Sequence, residues 1–352
     1  MKKVLFIMPD MAGGGAERVV SILMNELVNR GVEVTLALTK DDAIVYTLDQ
    51  HITVDKRYMG KGKNPLIQIL DIRKLMLEDC ERVVVSFLDF QNLYTILAGL
   101  FLKNKVVVSL RNALQMLGDG RKSVQILTKV LFGFADKVVF QTNDAQKAFS
   151  KKVQKKSAVI LNPLSKNFPE YKVENSKKKI VTFCRLNAQK NLPLAINGFS
   201  EFHKTHMDYN YVIYGKGEEE SSIRNLITEL GLENCITLND FSKNIFEDIK
   251  DARMFILTSD YEGMSNSMIE AMALGLPSIC TDCPIGGARM VIDNGINGFL
   301  IPVGGEDALV KAMKEIADNA ECRKRISENA KKIQEKLSVS KIVDKWENVL
   351  FK

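Results

Sequence analysis

Histidine is scarce, with three residues in 352, and tryptophan scarcer, with one. No apolar run extends much beyond the ten residues from Leu93 to Leu102. A membrane-spanning helix needs about twenty, so no transmembrane segment is expected. The apolar start, Val4 to Met8, meets Pro9 and a glycine-rich turn without a small-residue cleavage site. It reads as a buried strand and not as a signal peptide. Six cysteines stand scattered at 80, 184, 235, 280, 283 and 322. They are too few for a disulfide scaffold, and Cys280-x-x-Cys283 has no second pair to complete a zinc site, so reduced thiols of a cytoplasmic protein are expected. No two aspartates stand two apart, which removes the D-x-D metal motif. Repeats and low-complexity tracts are missing too.

What is present is a balanced globular composition, 46% hydrophobic and 26% charged, which excludes wholesale disorder. At roughly 150 residues per domain the length predicts two domains. Their charges differ: residues 1–165 hold 24 Lys and Arg against 16 Asp and Glu, a net of +8, while residues 166–352 hold 25 against 27, a net of −2. A solvated lysine-rich surface or an anionic partner would each account for the basic half. Nucleic acid is not expected as that partner, because the cations are not interleaved with aromatics.

Hydrophobic periodicity alternates. Val4–Met8 leads through three glycines into a helical pattern from Ala16 to about Arg30; Gly31 closes it, and Val32–Leu38 reads as the next strand. Strand patterns follow at Arg82–Phe87, Val106–Leu110, Lys137–Gln141 and Ala158–Leu161. After a polar stretch the series restarts with Ile180–Cys184, then Tyr211–Tyr214, Ile236–Leu238, Met254–Leu257, Pro277–Thr281 and Gly298–Ile301. Two β/α series predict two doubly wound parallel sheets, hinged near Asn162-Pro163. The domains are therefore expected at 1–163 and 164–336, with a helix over 337–352 that carries Trp346 and has several places to pack, the first domain among them.

In such folds ligands bind beyond the carboxyl ends of the strands. Four loops there carry polar chemistry. Gly13-Gly14-Gly15 precedes a helix whose first amides can meet an anion, but lacks G-x-G-x-x-G spacing. In Cys184–Asn191, Arg185 and Lys190 can converge on one diphosphate, the first as a fork and the second as a point charge. Gly215-Lys216-Gly217 reads by default as a tight turn. The fourth loop, Glu262-Gly263-Met264-Ser265-Asn266, runs into a helix ended by Gly275 and Pro277, with Glu270 on an early turn. The amides of Gly263 to Ser267 are expected to face phosphate or hydroxyl oxygens, and the two carboxylates suit sugar hydroxyls.

These segments, with Asn294-Gly295 and Asn297-Gly298-Phe299-Leu300, resemble the retaining glycosyltransferases of family 4, over nearly the whole chain. Ser86-Phe87-Leu88 and Ser109-Leu110-Arg111-Asn112 are similar to members that build bacterial capsules, exopolysaccharides and lipid-linked oligosaccharides. The resemblance implies the GT-B fold, two Rossmann-like domains facing a central cleft, with the acceptor on the first and the nucleotide sugar on the second. It implies that Arg185, Lys190 and Glu262 carry catalysis. Donor binding would fall to Gly14, Gly15, Phe241, Ser242, Gly263, Met264, Ser265, Asn266 and Glu270, and acceptor binding to Arg111 and Asn112. Cys184 stands where the family has Gly before the Arg, and Glu218 where it has Pro after G-x-G.

The expected activity is transfer of a sugar from a nucleotide-diphosphate donor, UDP favoured, to a saccharide or polyprenyl-diphosphate-linked acceptor. No cofactor and no metal are expected, since two cations and helix N-termini would neutralise the leaving group. A nucleotide-sugar epimerase of the same fold would need a cleft histidine, and an NAD-dependent dehydrogenase would need G-x-G-x-x-G. Paired cations beside apolar stretches (Leu66–Leu70, Leu93–Leu102, Ile126–Phe134) predict peripheral contact with the anionic inner face of the cell membrane.

Overall fold

The computed structural model describes every residue except 1, 61–63, 112, 113, 115, 116, 118, 119 and 165–167. Its contacts divide into two units, Met1–Ser165 with Leu337–Lys352, and Lys166–Lys336.

The first unit is built on β1 (Lys3–Met8), β2 (Glu33–Leu38), β3 (Thr53–Asp55), β4 (Val83–Phe87), β5 (Val106–Leu110), β6 (Lys137–Phe140) and β7 (Ser157–Val159). They pair in parallel in the order β3-β2-β1-β4-β5-β6-β7. Val4 stands between Val34 and Val83 in register. The valine runs of β4 and β5 are buried throughout, as strands covered on both faces must be. The helix Gly15–Asn29 lies against the helix Val339–Phe351. Arg30 fastens that contact, donating to Asp344 at 2.6 Å and Glu347 at 2.7 Å. Trp346 is 1% exposed and stacks on Phe87 with ring centroids 5.5 Å apart. Residues 337–352 therefore complete the core of the first unit.

The second unit carries β8 (Lys179–Phe183), β9 (Asn210–Tyr214), β10 (Ile236–Asn239), β11 (Met254–Leu257), β12 (Ser278–Thr281) and β13 (Phe299–Ile301), parallel in the order β10-β9-β8-β11-β12-β13. Ile180, Tyr211, Ile213, Met254, Ile256 and Ile279 form its core with the helices Leu192–His203 and Glu306–Asp318. The order reverses between β8 and β11, so the chain diverges there and opens a crevice at the carboxyl ends of those two strands. In the first unit the corresponding point lies between β1 and β4.

The anticipated strands are present within a residue or two at each end. The exception is β3, three residues at a sheet edge without a distinctive apolar run. Of the apolar stretches expected at a membrane, Leu93 and Ile96 are instead buried in the helix Asp89–Gly99. Among the described residues no helix is long and apolar enough to cross a membrane.

Candidate functional site

The loops after β8 and β11 are sewn together at the point where the strand order reverses. Past Phe183 the chain passes Arg185 and makes one 3₁₀ turn, Ala188–Lys190. Asn191, in the left-handed region at φ 42, then opens the helix Leu192–His203. Its side chain accepts from the Leu194 amide at 3.3 Å and donates to Asp260 Oδ1 at 2.7 Å. The Thr258 hydroxyl donates to the carbonyls of Lys190 (3.1 Å) and Asn191 (2.9 Å). The Asp260 amide donates to the Gln189 carbonyl at 2.9 Å.

This stitching delivers Lys190 to Glu262, with which it forms an ion pair. The side chains are 11% and 18% exposed, and the Ser259 hydroxyl donates to the same carboxylate oxygen at 3.2 Å. Burial disfavours the Lys190 ammonium, but the adjacent Glu262 charge outweighs it and holds the pKa above the ordinary lysine value. Lys190 is thus a fixed, permanently charged group. Arg185 is exposed and has no ion-pair partner among the described residues. Nearby thiols are silenced by burial: that of Cys184 is pushed up to about 12 and that of Cys283 to about 11.

Two backbone contacts shape the site in ways the sequence reading missed. Gly215-x-Gly217, taken there as a tight turn, clamps the Arg185 loop. A Cβ on Gly215 would stand 2.0 Å from the Cys184 carbonyl oxygen, and one on Gly217 2.0 Å from that of Leu186. Their absence lets the Leu186 amide donate to Lys216 at 2.9 Å and the Glu219 amide to Leu186 at 3.1 Å. Gly287, which had not been singled out, lies so close that a Cβ would be 1.5 Å from the Gly263 carbonyl oxygen. The Glu262 amide donates to Pro284 at 2.6 Å, and the Ile285 amide returns to Glu262 at 3.2 Å. Adjacent glycines at 286–287 after a strand were the available signal.

Ser265 precedes the helix Asn266–Leu274 in extended conformation and makes no side-chain capping bond; its hydroxyl pairs with that of Ser267 at 3.0 Å. The helix is buried from Met268 to Leu274, and Gly275 at φ 100 ends it. Glu270 is 6% exposed on its second turn.

The structure thus brings Arg185, Lys190, Glu262, Gly263, Met264, Ser265, Asn266 and Glu270 onto two adjacent loops and one helix start. Phe241 and Ser242 lie on the loop after β10, two strands from β8. Phe241 is 73% exposed, and Ser242 is engaged locally, donating to Asp248 at 2.5 Å. Gly14, Gly15 and Arg111 belong to the first unit. Gly14 precedes the helix Gly15–Asn29, and its carbonyl accepts from Arg18 and Tyr46. Arg111 is 8% exposed; it donates to Asn162 at 3.0 Å and lies 4.6 Å over the Phe87 ring and 5.7 Å from Trp346. Burial lowers its pKa to about 9. Its Nε and Nη2 are buried without a hydrogen-bond partner among the described residues. Asn112 lies outside the described residues. Among those described, no group of three or more His, Cys, Asp or Glu has metal-holding geometry.

The chain resembles known proteins along its length. Residues 165–333 match the family model described as glycosyl transferases group 1. Over 99% of its length the chain is 25% identical to an uncharacterized glycosyltransferase of Haemophilus influenzae, all of which is covered. An alpha-1,4-N-acetyl-D-galactosaminyltransferase of Campylobacter jejuni, whose name gives a PP-undecaprenol-linked acceptor, is 25% identical across 98% of this chain and 97% of its own. The crystal structure of Anabaena HepE in complex with UDP superimposes with a TM-score of 0.83 at 21% identity, covering 99% of both chains. Fold and matches agree on two parallel-sheet, Rossmann-like units of the GT-B type, the second of which matches the glycosyl transferases group 1 model.

Proposed function

We propose that the chain is a retaining, metal-independent glycosyltransferase that moves a sugar from a UDP-sugar to a saccharide acceptor carried on a polyprenyl diphosphate, in cell-surface polysaccharide synthesis. The observation that carries this reading is the Lys190–Glu262 pair at the reversal point of the second sheet, flanked by Arg185, which has no ion-pair partner among the described residues. A diphosphate leaving group needs positive charge that is fixed before the reaction begins. Lys190, held charged by Glu262, and the exposed Arg185 fork supply it without a cation cofactor. The amides from Gly263 to Asn266 would take phosphate or hydroxyl oxygens, and buried Glu270 would accept from a ribose hydroxyl.

Donor and acceptor assignments follow the same logic. UDP is favoured because a solved structure of the same fold is described with UDP. A lipid-linked acceptor is favoured because a relative aligned nearly end to end is named for one. The first unit would hold it, and the enzyme would work at the inner face of the cell membrane.

Incubation with a panel of UDP- and GDP-sugars, followed by mass spectrometry of free nucleotide, tests the donor. Arg185→Ala and Lys190→Ala should each cut turnover by roughly two to three decades, the scale of losing one oxyanion-hole donor. Near-normal rates in both would move the diphosphate site elsewhere. Turnover lost with EDTA and restored by Mn²⁺ would refute metal independence.

A further inference from the structure

We propose that one helical face of the first unit, formed by the helix Lys122–Leu131 with Phe134 and Phe101, docks on an anionic bilayer. The assignment rests on the proposed function only in the acceptor's being lipid-linked.

The helix is inside out for a soluble surface. Its buried side is Thr128 and Leu131, whereas Ile126 is 64%, Leu127 46%, Val130 56% and the following Phe134 60% exposed. Positions 126, 130 and 134 repeat every four residues, so they form one apolar stripe. The helix packs on its neighbour Asp89–Gly99, just beyond which stands Phe101. Phe101 is 99% exposed and sits in the left-handed region at φ 63. An aromatic residue gains nothing within the fold from such a placement, and strain of this kind marks functional positions. Phe101 and Phe134 each lead toward the start of a strand, β5 and β6, which are neighbours in the sheet.

Cations frame the aromatics. Lys103 and Lys129 are exposed, and the Lys152 ammonium lies 6.0 Å from the Phe134 ring. None of the three has a carboxylate in ion-pair distance among the described residues. Lys156 donates to the carbonyls on either side of Phe134, those of Gly133 and Ala135. Burial, and after it the charge of Lys152, lower its pKa, and Asp136 opposes them. The neighbouring helix Pro65–Leu77 also exposes leucines, but its cations are engaged. Lys74 pairs with Asp71 at 3.3 Å, and Arg73 donates to the carbonyls of Ala98 and Leu100. The unneutralised charge therefore gathers beside Phe134. A partner that is apolar within and negative at its surface fits both features, and a bilayer rich in anionic headgroups is such a partner.

The test is flotation of the full chain with phosphatidylglycerol-containing vesicles and with pure phosphatidylcholine vesicles, at low and high salt. Wild type should float with the anionic vesicles alone and release as salt rises. The double variant Phe101→Ser/Phe134→Ser, and separately Lys129→Glu/Lys152→Glu, should each lower partitioning about tenfold. All four side chains are exposed or peripheral, so thermal melting and nucleotide release from soluble donor should not change. Equal recovery of wild type with both lipids would overturn the proposal, as would serine variants that float like wild type. A dimer in light scattering that Phe134→Ser dissolves would assign the face to a second copy and equally overturn it. Docking without nucleotide release would leave this face standing and reject the enzymatic reading; release without docking would do the reverse.

Discussion

Gly287→Ala isolates the geometry of the donor loop from its chemistry. The backbone at Gly287 is helical, φ −63 and ψ −42, so alanine is conformationally acceptable and only space is at issue. The added Cβ would stand 1.5 Å from the Gly263 carbonyl oxygen and 2.4 Å from its carbon, where real contacts essentially never fall below 3.0 Å. Loop 262–264 must therefore retreat by about 1.5 Å, and a displacement near 1 Å at reacting groups costs on the order of a hundredfold in rate. Overpacking itself should cost about 1–3 kcal/mol of stability. Gly198→Ala is the matched control. Its Cβ would meet Leu309 Cδ2 at 2.6 Å, the far end of a flexible side chain remote from the loops. It should lose some stability and no activity. Steady-state nucleotide release, donor titration calorimetry and thermal melting read all three quantities. Gly287→Ala with wild-type donor affinity and turnover would refute the argument that this contact holds Gly263 in place.

Other expectations follow from separate features. Glu270→Gln should weaken donor binding by about tenfold or more, the worth of one charge-assisted hydrogen bond, and leave kcat little changed, because a remote hydroxyl is held alike before and during reaction; unaltered calorimetric affinity would remove Glu270 from the site. Trp346→Ala should destabilise the first unit by about 3–5 kcal/mol, since a 1%-exposed indole against Phe87 and Arg111 would become a cavity; a melt within a degree or two of wild type would contradict that packing. In native protein at pH 8, exposed Cys80 should alkylate fast, while Cys283, whose pKa rises from 9.0 to about 11, holds about a hundredfold less thiolate than a free thiol. Because Cys283 keeps its proton more tightly folded than unfolded, stability should fall as pH climbs from 9 toward 11; equal labelling of both thiols would show the burial to be wrong.

Legibility in the sequence tracked how local each signal was. Strands such as Val83–Phe87 and the helix closed by Gly275 and Pro277 declare themselves through runs and stop residues within a few positions. Thr53–Asp55 did not, because a three-residue edge strand is defined by its pairing with Glu33–Leu38 and not by its own composition. Glu262 and Lys190 were picked out separately; that they touch depends on Thr258, Asp260 and Asn191 stitching two loops 70 residues apart, which no spacing reveals. Gly215, Gly217 and Gly287 act through clearance against backbone from other segments, a property invisible without the neighbours. The surroundings of Arg111 are equally non-local: Phe87, Trp346 and Asn162 converge on it from three distant segments and bury it.

The return of residues 337–352 to the first unit makes the second unit an insertion within the first, so the first unit is completed last during synthesis. Residues 166–336 are contiguous and hold a whole sheet, so they can fold as soon as they emerge. The first unit is complete only with its last residues: until then Phe87 and Arg111 lack their indole cover, and the Leu164 amide lacks the Leu337 carbonyl that it meets at 2.9 Å. At typical elongation speeds the intervening segment takes on the order of ten to thirty seconds to make. Throughout that interval the side of Phe87 and Arg111 that Trp346 covers in the finished structure stays bare.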